Sequence, residues 1–170
     1  MKILHTAVDW AKAEVFSAQF FILFGVLFIL GTIGFWQLGK TEVAKAFVIP
    51  TLVAGILLLM VGFGIFFANK GRVKSFESEY QRDPLAFVQS EITRTEKVMK
   101  EYQNIVFRVI PLIVTVAALL IMFLDKPMWR AIGITTIGLM AVVLCIDSNA
   151  KARIEAYNQA LVSIEKEPNN

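Results

Sequence analysis

The chain has 170 residues, of which 56% are apolar and only 18% charged, and its 17 basic and 14 acidic residues give a formal charge of +3. Charges that avoid four long apolar intervals exclude an ordinary soluble domain, and a balance this mild gives no footing for nucleic-acid binding. With one cysteine, Cys145, no intramolecular disulfide can form.

Residues 1–19 predict an amphipathic helix. Leu4, Val8, Ala11, Val15 and Ala18 recur at four-three spacing on one face, and Trp10 is placed at the level of lipid headgroups. The first apolar run, residues 20–38, is about 28 Å long as a helix, enough to cross a hydrocarbon core of about 30 Å, and reads as a retained span rather than a cleaved signal. Gly31 and Gly34 offer a close approach to a neighbouring helix, Thr32 and Gln37 can donate across it, and Trp36 marks the far interface. A short turn at 39–43 makes the second span, residues 44–68, an antiparallel neighbour. Pro50 is tolerated near its start, and Gly55 and Gly62, seven apart, share a packing face. Residues 20–68 thus form a first membrane hairpin.

Residues 69–104 are the long polar linker. From 69 to 108 there are eight basic and six acidic side chains. Val73, Phe76 and Tyr80 make one helical stripe, which Asp83 and Pro84 end. The same two residues are a good N-cap and first turn for a new helix. In that helix Val88, Ile92, Thr95, Met99, Tyr102, Val106 and Val109 alternate steps of four and three, a spacing that packs against another helix. The stripe suits an intramolecular seam, with Val88, Ile92, Thr95, Met99 and Tyr102 as the alternative partner-binding strip. Glu96–Lys100 and Lys97–Glu101 are set for i,i+4 pairs.

Residues 105–146 form the second hairpin. Its first span, 105–124, carries Arg108 at the aqueous end and Pro111, which is expected to kink the helix against the Phe107 carbonyl. After the turn at 125–130, with Trp129 as an interface marker, the last span covers 131–146. At about 24 Å it needs help from residues 128–130 or a thinned bilayer. Gly133, Thr135, Thr136 and Gly138 give it a small, weakly polar face. In the polar tail, residues 147–170, Ile154, Tyr157, Leu161 and Ile164 make a further stripe, and residues 165–170 are expected to fray.

The expected fold is therefore an all-α membrane protein: four transmembrane helices in two hairpins, with amphipathic helical extensions. Thirteen basic residues flank the side carrying both termini and the linker, and four flank the other. That asymmetry places both ends and the linker in the cytoplasm, and short loops without glycosylation sequons suit a bacterial inner membrane. The mixed-sign polar stripes are expected to join as a helical stalk rather than lie on the lipid. The halves share a plan, as in a parallel repeat, without shared residues.

Residues able to do chemistry are sparse. His5 is the sole histidine, so two axial haem ligands or an HExxH zinc site cannot be assembled, and it is expected at the surface. Cys145 is expected as a buried apolar thiol. No ionisable residue lies at the middle of a span. Asp125 and Asp147 are terminal, with Lys126 and Lys151 nearby, which disfavours coupling through a central membrane carboxylate. A lipid-acting enzyme would need His5, Asp9, Glu14, Arg108, Asp147 and Arg153 to converge. The expectation is thus no enzyme, cofactor or metal. The best-fitting role is a small membrane scaffold, assembly or regulatory subunit, in a homo-oligomer or larger membrane complex. Its runner-up is an oligomeric channel or small transporter lined by Thr32, Gln37, Thr115, Thr135 and Thr136.

Overall fold

A computed structural model describes residues 2–165. The expected fraying of the tail falls, from residue 166 on, outside the described residues. The chain is all-α: α1 Lys2–Leu38, α2 Glu42–Ala46, α3 Val48–Arg82, α4 Pro84–Asn104, a π-helical turn Ile105–Val109, α5 Ile110–Phe123 and α6 Pro127–Glu165. Four helical stretches are long and apolar enough to cross a membrane: Lys2–Leu38, Glu42–Arg82, Pro84–Phe123 and Pro127–Ile164. At 37 residues α1 is about 55 Å long, well beyond a hydrocarbon core. Each stretch has an apolar part and a polar continuation.

Local chemistry sets the breaks. At Gly39 a Cβ would run into the Phe35 carbonyl oxygen, so only glycine lets the chain turn there. Thr41 Oγ1 then caps α2 by accepting from the Ala44 N–H (3.1 Å), and Phe35 stacks on Phe47 (5.2 Å). The turn at 39–43 thus leads into a separate five-residue helix before the second long one. Asp83 Oδ1 accepts from the Ala86 N–H (3.0 Å), with Pro84 as the first residue of α4. Pro111 is accommodated by widening rather than by a simple kink. Ile110 N–H bonds to the Ile105 carbonyl across a π turn, relieving the ring's demand on the turn that holds Phe107.

The apolar parts pair as α1 with α3 and α5 with α6, and α6 reaches across to α1. Gly25 and Gly55 let α1 and α3 touch backbone to backbone. A Cβ on Gly25 would lie 3.1 Å from the Gly55 carbonyl oxygen, and one on Gly55 would lie 3.0 Å from that of Gly25. Gly62 approaches the backbone of Ile22, and a Cβ on Gly133 of α6 would lie 2.7 Å from the Ala117 carbonyl oxygen on α5. Gly31, Gly34 and Gly138 are outside this packing: a Cβ on any of them meets nothing within 4 Å, because their helices turn those faces outward.

Two clusters make the core. Within the apolar region Phe21, Leu58 and Ile146 are buried, with Phe24, Phe28 and Leu139 against them. Within the polar region α1, α3, α4 and α6 join around Ile3, Ala7, Trp10, Phe76, Phe87, Val88, Ile92, Ile154, Tyr157 and Leu161. Val88, Ile92 and Thr95 are consequently covered, with Met99 packed beside them. That strip is spent inside the chain rather than offered to a partner.

Candidate functional site

The densest polar chemistry lies where the apolar segments give way to the polar bundle. Glu91 on α4 is only 5% exposed, yet its carboxylate is fully engaged. Oε1 accepts from Arg94 Nε (2.8 Å), and Oε2 accepts from Arg94 Nη2 and from the Tyr157 hydroxyl (2.9 Å). The Arg94 guanidinium lies 4.4 Å above the ring of Trp10, and Trp10 stacks on Tyr157 (5.1 Å, 12° between planes). Glu91, Arg94, Trp10 and Tyr157 therefore close a four-membered loop of contacts drawn from α4, α1 and α6. Burial first, and the Glu91 charge second, push the Tyr157 hydroxyl upward, so it stays a neutral donor. Beside this loop Asn158 Nδ2 donates to Thr95 Oγ1 (2.7 Å), and Thr95 in turn bonds the carbonyls of Glu91 and Ile92.

A second group ties α6 to α1. Arg153 donates through Nε and Nη2 to Glu14 Oε1 (3.1 and 3.0 Å) and through Nη2 to Ser17 Oγ (2.7 Å). On α3, Asn69 Nδ2 donates to the Ile65 carbonyl (2.9 Å), and Arg72 Nη1 donates to Asn69 Oδ1 (2.8 Å). Burial, then the neighbouring Arg94, lower the Arg72 guanidinium from its ordinary value. A cavity of about 240 Å³ lies between these groups, with Trp10, Asn69, Arg72, Arg94, Tyr102 and Asp147 in its wall. Asp147 is the first residue beyond the apolar part of α6. Its carboxyl is pushed up to about 6, mainly by burial and secondarily by Glu14.

The residues singled out from the sequence fall in several places. Tyr102 reaches the cavity, its hydroxyl raised by burial and then by Asp147. Of the threonines, Thr32 and Thr51 bond each other across α1 and α3 (2.9 Å) and also reach the Phe28 and Phe47 carbonyls. Thr115 bonds the Pro111 carbonyl (2.8 Å) on an exposed face. Thr135 and Thr136 line a separate cavity of about 270 Å³ between α3 and α6, and the shielded Thr135 hydroxyl meets no partner among the described residues. Gln37 is exposed at the end of α1. Glu14 pairs with Arg153, while His5, Asp9 and Arg108 are exposed. Among the described residues no group of three His, Cys, Asp or Glu side chains is placed to hold a metal ion.

Four sequence expectations are corrected. Trp10 is buried in the core of the polar region instead of sitting among headgroups, because the Arg94 guanidinium lies over its ring and Tyr157 stacks on it. Cys145 is exposed, since α6 turns the adjacent Ile146 inward and Cys145 outward. Lys151 pairs with Glu155 (3.6 Å) rather than with Asp147. Lys97 meets Glu101 (3.9 Å), whereas Glu96 and Lys100 form no ion pair. Sequence reasoning missed Trp10, Asn69, Arg72, Glu91, Arg94 and Tyr157 as one group. The available signals were the i,i+3 pairs Asn69/Arg72 and Glu91/Arg94 and the tail stripe through Tyr157. No family model, curated protein or solved structure matches this chain.

Proposed function

We propose that this chain is a small integral protein of the plasma membrane, of the bacterial inner-membrane kind, which serves as a non-catalytic scaffold, assembly or regulatory subunit. Both termini and the polar bundle lie in the cytoplasm, in keeping with thirteen basic residues on that side against four on the other. The observation that carries the reading is continuity. Helices α1, α3 and α6 run unbroken from apolar segment to polar bundle, and the charged groups between them are largely engaged with one another. Such a body is suited to fixing the position of a partner.

The face left for that partner is α5. It packs against α6 alone among the long helices and leaves Leu112, Val116, Leu119, Met122 and Phe123 exposed. The outward faces of Gly31 and Gly34 on α1 supply a second membrane surface where helices can approach closely. The channel reading is less well supported, since Thr32, Thr51 and Thr115 donate to backbone carbonyls and Thr115 lies apart from Thr135 and Thr136. A photo-crosslinking residue in place of Val116 or Leu119, activated in native membranes, is expected to capture another membrane polypeptide. Adducts to lipid alone from both positions would contradict the reading.

A further inference from the structure

The cavity at the junction holds two charged groups, Arg72 and Asp147, that form no ion pair among the described residues. Arg72 hydrogen-bonds to the neutral amide of Asn69, and no carboxylate among the described residues comes within 4.0 Å of it. Asp147 forms neither a hydrogen bond nor an ion pair among the described residues, and the lysine one turn along, Lys151, is taken by Glu155. Of the neighbouring charges, Glu14 is bound to Arg153 and Glu91 to Arg94, and both carboxylates act on Arg72 only at longer range. Charges without an ion-pair partner in a partly buried wall are costly. A cation and a carboxyl with no ion-pair partner among the described residues are together complemented by a ligand carrying both an oxyanion and an ammonium.

We propose that this cavity binds a primary-amine zwitterion, with the oxyanion held by Arg72 and the ammonium held by Asp147, and that its source is the phosphoethanolamine headgroup of a membrane lipid. The size agrees: about 240 Å³ has room for about eight water-sized groups, the scale of one headgroup. So does the position. The cavity lies at the first polar turn beyond the apolar segments, and Ile65 and Val98 share its wall. A choline headgroup has no N–H to give Asp147, and a glycerol headgroup supplies no cation. The inference requires membrane insertion but not the scaffold role. Resistance to carbonate extraction reads insertion separately.

The test uses the full chain in nanodiscs containing equal parts phosphatidylethanolamine, phosphatidylcholine and phosphatidylglycerol, with retained lipid counted by native mass spectrometry after gentle release. Phosphatidylethanolamine is expected to be retained over each of the others by about tenfold. Asp147→Asn is expected to abolish the preference over phosphatidylcholine while some phospholipid is still retained, and Arg72→Gln to lose retention of all three. Lys100→Gln with Arg108→Gln, on the outer surface, is the control and leaves selectivity unchanged. Equal retention of the three lipids, a preference for phosphatidylglycerol, or an unchanged preference in carbonate-resistant Asp147→Asn protein would each overturn the proposal. Stabilisation by soluble phosphoethanolamine as large as that by the lipid would overturn the lipid source.

Discussion

Tyr157 on α6 donates its hydroxyl to Glu91 on α4 across 2.9 Å, joining residues 66 positions apart. This bond closes the loop that runs through Arg94 and Trp10, so it links three helices at the base of the polar bundle. Tyr157→Phe removes one donor to a charged acceptor and should cost about 1.5–3 kcal/mol. Glu91→Ala strands Arg94 in a low-dielectric setting and should cost about 3–5 kcal/mol. Denaturant titration in detergent, followed by circular dichroism, separates the two. Losses under about 0.5 kcal/mol for both variants would mean that the loop does not hold the bundle.

Asp147 gives stability a pH slope of known sign. Its carboxyl titrates near 6 in the folded chain, against an ordinary value of 3.8, mainly because burial disfavours the charged form. Between those values the folded state holds more protons than the unfolded state, so stability falls as pH rises through that window and stays low above it. Asp147 is half-buried, and water screens part of the penalty. In lipid-free detergent at pH 8, Asp147→Asn should therefore melt about 2–4 °C higher and lose the slope. A lower melting temperature at pH 8 would show that the carboxylate is instead stabilised by an interaction with a cation.

The glycines divide into two kinds that should respond oppositely. A Cβ on Gly133 would lie 2.7 Å from the Ala117 carbonyl, where only backbone movement can relieve it, so Gly133→Ala should cost about 1–3 kcal/mol and loosen α5 from α6. Gly31→Ala and Gly34→Ala place a methyl in open space and improve helix propensity, so the isolated chain should be unchanged or gain up to about 1 kcal/mol. If these glycines lie at a partner surface, the same substitutions weaken copurification. Equal destabilisation of the isolated protein by all three would contradict the division.

Cys145 reports sidedness, being the sole cysteine and exposed two residues before Asp147, where the apolar part of α6 gives way to the polar part. In intact cells a membrane-permeant maleimide should label it and an impermeant one should not, while both label in detergent. Labelling by the impermeant reagent in intact cells would place the polar bundle outside.

The all-α class and the four membrane-length helices were legible in the sequence because apolar runs and helical periodicity are local properties. Val88, Ile92 and Thr95 advertise their shared face within one helix. Trp10 could not be read this way. As an amphipathic ring near an apolar run it suits the headgroup layer, and only Arg94 and Tyr157, brought from elsewhere in the chain, bury it. The glycine faces have the same difficulty: Gly31 and Gly55 look alike in sequence, and only the α1–α3 crossing at Gly25 and Gly55 separates them. The π turn before Pro111 needed backbone geometry, since a proline signals the conflict without saying how the helix absorbs it. The cavity was the least legible feature, because its wall draws on α1, α3, α4 and α6.

The scaffold role is tested most directly by isolating the protein from native membranes in mild detergent, measuring the mass of the intact assembly and identifying every component. The expected result is a stable complex containing a second membrane polypeptide, weakened by substitutions on the exposed face of α5 that leave the isolated chain folded. A large closed homo-oligomer with no other component would contradict it and favour flux measurements on the reconstituted protein.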